Sequence, residues 1–383
     1  RGISELLCIR RGRHAEPRRR PTGIFYKALA QLEPALKEHP NFLWGFNDLA
    51  GIYLFLGIYQ QLHGNADARE TLSKGLRYEE KAVSLDGTYL VAIANTLNAR
   101  AKLIAFMDSD LAISEALNNA EQTLHVCLKE NHQYTSCFVN YLLVYARAAE
   151  RTALAGLDPA PRLQVALKTV QDIRKLGGSF LDAEQHSALA FLVSAADLGR
   201  KKADPAPSLA DFRAALTRCF ALADKDAMCR TLDARAALVE ADWAALRRTP
   251  QLPFLTAALD KAALATASPE PFPDAWQTLA EAHLRLATLP ATTPPLRPQH
   301  LTAAVAAIDK VFTINPHHAR SHATRGTALL RQAEAASDRS ARLRTARDAV
   351  QALERALRSD AFLQHDYAPL LDKARTLAAA ADR

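Results

Sequence analysis

The 383-residue sequence has no run of 18 apolar residues and no signal-peptide pattern, so neither a membrane span nor secretion is supported. It has only 14 glycines, and no stretch of alternating apolar and polar residues bounded by turn signals reads as a β-strand. The phosphate-cradling G-x-x-x-x-G-K-S/T and G-x-G-x-x-G patterns are missing, as are H-E-x-x-H, G-x-S-x-G and the kinase H-R-D and D-F-G. Enzymatic activity is therefore not expected of this chain, and no cofactor is implied. Five cysteines make an odd count without any C-x-x-C pair, which suits a reducing, cytoplasmic setting better than a disulfide framework. Cys127 and Cys137, like Cys219 and Cys229, straddle a turn and are expected as small buried hydrophobes. Cationic surface is scarce too: of the net charge of +7, the first 20 residues contribute +5 through seven Arg and two Glu. A basic face along the whole molecule is thereby excluded, although the N-terminal cluster suits an acidic partner. His318 and His322 have the spacing of a metal-binding pair on a helix but lack a third ligand, so no metal is expected. The chain starts at Arg1 in mid-pattern and reads as part of a longer protein.

What the sequence does contain is long Ala- and Leu-rich stretches with helical periodicity, and 49% hydrophobic residues. Residues 301–330 give the clearest unit. Ala304, Ile308 and Val311 share one face at helical spacing, Asn315-Pro316 ends the run, and apolar periodicity resumes beyond it. Taking His322 as the anchor of the second helix, comparable anchors are Phe46, Ile93, Phe138, Glu184, Asp233, Trp276 and Tyr367. Successive spacings are 47, 45, 46, 49, 43, 46 and 45 residues. Eighteen residues before each anchor stands a small residue: Ala28, Gly75, Ala120, Ala166, Ala215, Ala258, Ala304 and Ala349. Seven further along stand Ala35, Ala82, Cys127, Ile173, Leu222, Ala265, Val311 and Ala356, all apolar.

Trp276-x-x-Leu279-Ala280-x-x-His283, Phe46-x-x-Leu49-Ala50-x-x-Tyr53 and Phe138-x-x-Tyr141-Leu142-x-x-Tyr145 resemble the first-helix signature of the tetratricopeptide repeat. The resemblance implies an all-α, right-handed solenoid of stacked helical hairpins, with an unusually long period of about 46 residues. Residues 1–40 are expected to be a truncated first repeat with a basic Arg-rich loop. Residues 41–361 would form about seven extended hairpins, and residues 362–383 a C-terminal capping helix. The excess over the usual period is expected in Gly- and Pro-bearing loops between the two helices of each unit, such as Gly156-Leu-Asp-Pro159-Ala-Pro161 and Asp204-Pro205-Ala-Pro207.

In this family the concave groove is lined by first-helix positions that map onto Trp44, Asn47, Phe55, Asn98, Lys102 and Arg147. Amides and cations beside aromatic surface suit an extended peptide with an acidic group. The family's carboxylate-binding set needs a Lys where Asn47 stands, so a chaperone C-terminus is not the expected ligand. The long period and loop pattern are similar to the C-terminal repeat regions of bacterial serine/threonine protein kinases. The expected function is thus a non-catalytic protein–protein interaction scaffold that docks substrates or regulators of a larger signalling protein. The alternative is a nucleic-acid-binding helical repeat or the sensor region of a transcriptional regulator. It requires basic residues at matching positions in successive units; Lys102 and Arg147 provide this once, and Val193 breaks it.

Overall fold

The computed structural model describes residues 22–268, 272–290, 292–293 and 295–380. The basic loop within residues 1–20, most of the proline cluster at 269–273 and the last three residues lie outside this set. The described residues form an all-α helical-repeat solenoid. An opening helix α1 (Thr22–Glu38) is followed by seven hairpins and a closing helix α16 (Gln364–Ala380). The hairpins are α2 (Leu43–Leu62) with α3 (Ala68–Leu85), α4 (Leu90–Leu103) with α5 (Asp110–Glu130), α6 (Thr135–Leu154) with α7 (Ala160–Lys175), and α8 (Leu181–Arg200) with α9 (Ala206–Leu222). They continue with α10 (Ala227–Leu246) and α11 (Leu252–Thr266), α12 (Pro273–Thr288) and α13 (Leu296–Ile314), and α14 (Ala319–Ala335) and α15 (Arg339–Ser359). The first helix of each hairpin packs on the first helix of the next, so α2, α4, α6, α8, α10, α12, α14 and α16 form an inner wall. The second helices form the outer wall.

The expected long loops do not exist among the described hairpins. The extra residues lengthen the helices, several inner ones reaching 20 residues. The Gly and Pro that suggested loops are helix stop and start signals. Gly64, Gly156, Lys202 and Arg248 occupy the left-handed region at the ends of α2, α6, α8 and α10. The amide after each reaches back to a carbonyl in the last turn, as in Leu157 N to Thr152 O at 3.1 Å, which satisfies groups a helix end otherwise leaves bare. Asn65, Asp158 and Asp204 then accept from the amide two residues on, and α7, α9 and α11 begin with Pro at the first or second position, where its missing N–H costs nothing. At the opposite edge Asp86, Asn131, Asn315 and Asp360 make the same kind of turn between one hairpin and the next.

Inner-helix starts fall at residues 43, 90, 135, 181, 227, 273, 319 and 364, which corrects the register of one unit. The anchor of the fifth hairpin is Arg230 in place of Asp233, and the residue facing the inner helix is Phe212 in place of Ala215. Phe212 is fully buried, Cys219 takes the core position assigned to Leu222, and Leu222 is 49% exposed. A slip of three residues is nearly one helical turn, so it keeps roughly the same face inward and periodicity could not detect it. In α1 the inward residues are Phe25, Leu29 and Leu36, with Ala35 exposed.

The cysteine expectation also fails in part. All four are buried, but Cys127–Cys137 and Cys219–Cys229 are disulfides with Cα atoms 6.7 and 6.6 Å apart. Each ties the end of an outer helix to the start of the next inner helix. Elsewhere these two positions hold Ala82 and Ala92, Ile173 and Ala183, or Val311 and Ser321, all buried. The tight face-to-face contact that favours small residues there is what brings two sulfurs within bonding reach.

The solenoid closes on itself. Asn315 Nδ2 donates to Gln61 O at 3.3 Å, beside Gly64, where any side chain would collide with Asn315. Arg151 at the end of α6 grips Asp360 with both terminal nitrogens (2.5 and 3.0 Å), donates to Met107 O (2.9 Å) and lies 4.2 Å from the ring centroid of Phe362. Phe362 itself enters the core shared by the second to fifth hairpins.

Two measurements check these assignments. Phe212→Ala should cost about 3–5 kcal/mol by chemical denaturation, and Leu222→Ala little; equal losses would restore the uncorrected register. Arg151→Ala should destabilise by about 3 kcal/mol, and a double-mutant cycle with Asp360→Asn should show strong coupling. Additive losses would mean that the two groups do not act as a pair.

Candidate functional site

With the fifth unit in register, the positions expected on the concave face fall one, four, eight and twelve residues after each inner-helix start. On α2 these are Trp44, Asn47, Gly51 and Phe55; on α4, Val91, Ala94, Asn98 and Lys102. Trp44 is 58% exposed and meets the edge of Tyr89, with ring centroids 4.9 Å apart. Phe55 is 42% exposed, and between them a side chain added at Gly51 would meet nothing within 4 Å. Asn47 accepts from Asn95 Nδ2 at 3.3 Å, and Asn98 is half-buried. This end of the inner face is open, apolar and edged by amides.

On α6, α10, α12 and α14 several inner-face charges pair with one another. Arg147 donates to Glu150 Oε2 at 2.8 Å, and Arg235, two hairpins away on α10, donates to Glu150 Oε1 at 2.7 Å. Arg320 on α14 donates to Glu281 on α12 at 3.0 Å, and His318 Nε2 lies 3.4 Å from Asp274. Gln277 completes the set, donating to Glu281 and to Thr324 and accepting from Ser321. Burial works to raise the Glu150 pKa, but Arg235 and Arg147 override it and hold the carboxyl at about 2. Asp274 is likewise held well below the usual range: burial works to raise it, but the His318 contact and the charges of Arg320 and Arg147 together outweigh that. Of the expected site residues, Arg147 is therefore committed to Glu150. Lys102 is half-buried without a hydrogen-bonded partner, and burial first, then the Arg147 charge, lowers its pKa to about 8 against the opposing pull of Asp182. His186 is buried, with Nδ1 3.3 Å from Val139 O; burial and then Lys102 push it down to about 3, so it is neutral.

Arg235 falls outside the groove positions when Asp233 is taken as the fifth anchor, whereas Glu281 belongs to the sixth unit, whose anchor Trp276 was already in register. In register they share the repeat position of Gly51 and Asn98, the signal that would have found them. Glu150 lies beyond the family's groove positions, and its role depends on curvature that brings α6 and α10 together. The histidine pair does not converge: His318 Nδ1 lies 2.8 Å from Ser321 Oγ, while His322 Nε2 lies 2.9 Å from Pro316 O and its ring stacks on Phe312. Cys219, Asp226 and Cys229 cluster within metal-ligand range, but both sulfurs are spent in the disulfide.

One ionisable side chain under the open end breaks the repeat pattern. Glu79 takes a position held elsewhere by Leu124, Val170, Ile308 and Leu353; it is 1% exposed and neither carboxylate oxygen has a hydrogen-bond partner. Burial pushes its pKa up to about 9, with nearby Asp48 adding to the rise and Asn95 opposing it.

No family model matches the chain, and no curated protein matches its sequence. Several solved structures are similar to it. The chain is similar to a tetratricopeptide repeat protein from Parabacteroides merdae, with a TM-score of 0.49 and 12% identity over 81% of this chain and 94% of that one. It is similar to yeast Tom70 at a TM-score of 0.49 and 14% identity, covering 94% of this chain but spanning only 59% of Tom70. Human IFIT1, solved as a dimer with PPP-AAAA, gives a TM-score of 0.46 and 12% identity over 86% of this chain and 67% of that one.

Glu79 yields a pH prediction. The folded state retains a proton that the unfolded chain releases above its ordinary pKa of 4.5, so this group's contribution is fully present below pH 4.5 and is lost as pH rises towards about 9. Glu79→Gln should flatten that decline and stabilise the protein by on the order of 3 kcal/mol at pH 7, with little gain at pH 4.5. Melting curves across this range give the answer; a gain independent of pH would show that Glu79 is not held protonated.

Proposed function

We propose that this chain is a non-catalytic docking scaffold that holds an extended protein segment on the open inner face of its first two hairpins. One observation carries the reading: Trp44 and Phe55 remain exposed around the bare backbone of Gly51, while farther along Arg147 and Arg235 are engaged with Glu150, and Arg320 with Glu281. Exposed aromatic area in a concavity is the usual anchor of protein recognition. Asn47 and Asn98 supply amides for a peptide backbone, and Lys102 supplies a cation for an acidic group. Arg147 contributes field and no direct contact, because Glu150 holds it.

The resemblance of the long period and of Gly156-Leu-Asp-Pro-Ala-Pro-Arg162 to bacterial kinase repeat regions supports a place in a larger cytoplasmic signalling protein. There the scaffold would select substrates or regulators by raising their local concentration. The cysteines no longer argue for the cytoplasm, since four of the five are paired. The nearly neutral body weighs against a nucleic-acid ligand.

Trp44→Ala with Phe55→Ala should abolish capture of an extended acidic peptide, and Lys102→Gln should weaken it about tenfold. None of the three should lower the melting temperature. Unchanged capture, or tighter binding of an RNA oligonucleotide than of the peptide, would overturn the reading.

A further inference from the structure

The outer wall carries a feature independent of the inner-face reading. Between α5 and α7, with α6 beneath, lies a groove of about 510 Å³. Phe138 and Tyr141 of α6 form the floor, Leu124 and Leu128 of α5 one wall, and Val165 of α7 with Leu176 just past its end the other.

The other hairpins explain why this floor stands out. At the equivalent positions Phe46 is covered by the stacked ring of Tyr78, and Glu184 is bridged by Arg218 at 2.9 Å. Asp233 is bridged by Lys261 at 2.7 Å, and His322 lies under Phe312 at 4.4 Å. In each case an outer helix supplies a long side chain that covers the inner one. The residues of α7 equivalent to Lys261 and Arg218 are Thr169 and Asp172. Thr169 returns its hydroxyl to Val165 O, and Asp172 turns to the rim, 3.5 Å from Lys168 and 3.3 Å from Lys175. Phe138 is thus left half-buried without the cover that Phe46, Glu184, Asp233 and His322 receive, while Tyr141 beside it is packed against Tyr145, with ring centroids 4.8 Å apart.

We propose that this groove docks an amphipathic helix of a partner protein whose apolar stripe is flanked by Asp and Glu. From Val165 to Leu176 the wall runs eleven residues, about 16 Å at 1.5 Å per residue, which matches apolar side chains spaced over three turns of a docked helix. Two exposed lysines share one aspartate on the rim, which leaves positive charge for an acidic flank. The chain's own first 20 residues, with seven arginines, have the wrong sign to be the occupant.

The test uses the full chain and a fluorescent helical peptide of roughly 18 residues, or five turns, with Leu on one stripe and Glu beside it, against the same peptide with Lys for Glu. Anisotropy should give a dissociation constant in the micromolar range for the acidic peptide and binding about tenfold weaker for the basic one. Lys168→Glu with Lys175→Glu, at side chains 78% and 75% exposed and so without effect on folding, should reverse that order. Val165→Trp should fill the groove and abolish binding of both peptides, whereas Trp44→Ala with Phe55→Ala should leave it intact, which separates this site from the inner face. Equal binding of the two peptides, or undiminished binding by the filled groove, would overturn the proposal. So would displacement of the acidic peptide by oleate with no effect of the lysine reversal, which would assign the groove to a lipid. Self-association that the filled groove suppresses, seen by sedimentation, would assign it to a second copy of the chain and equally refute the proposal.

Discussion

Arg151 joins two parts of the chain separated by more than 200 residues, and the form of the whole solenoid depends on that contact. Its guanidinium meets the Asp360 carboxylate in the fork geometry suited to planar bidentate pairing, while its face covers Phe362. A stack of hairpins contacting only neighbours would spread its stability along its length. Here the turn before α16 returns to the end of α6, and the turn before α14 returns to the end of α2, so distant hairpins are held together as well. Regularity makes this possible. Inner-helix starts recur every 45 to 47 residues, so a small rotation per hairpin accumulates evenly until the two edges meet.

Closure divides the inner face. Where curvature brings α6 near α10, Glu150 is shared by Arg147 and Arg235, and the chain of charged contacts continues through Glu281 and Arg320. Enclosed charges persist only when paired, and these hold one another at the cost of access to the surface they line. The first two hairpins lack that network and keep Trp44 and Phe55 exposed. Glu79, buried and unpartnered beneath this same end, departs from the apolar pattern of its repeat position. Local departures of this kind concentrate where a protein is shaped for something other than its own stability.

The helices, the period and the inward positions were legible from the sequence because each has a local cause. Apolar spacing sets the buried face, Asn315-Pro316 sets a turn, and small residues such as Ala166 and Ala304 mark close helix contacts. Gly156 and Pro161 were legible as breaks but read as a long loop; whether a stop and a start enclose a long loop or one tight turn depends on helix length, which spacing alone does not fix. The identity of the fifth anchor was beyond the pattern, because Arg230 and Asp233 stand almost one turn apart.

What the sequence by itself determined is the unit: a helical hairpin with one inward and one outward face, repeated at constant length. Only the tertiary structure decided how those units meet beyond their neighbours. The pairing of Cys127 with Cys137, the sharing of Glu150 between two arginines and the grip of Arg151 on Asp360 depend on distances of a few ångströms. Such distances are sums of small rotations over many hairpins. No local pattern of residues encodes a sum of that kind, so the division of the inner face into an open end and a closed one emerges only when the turn is complete.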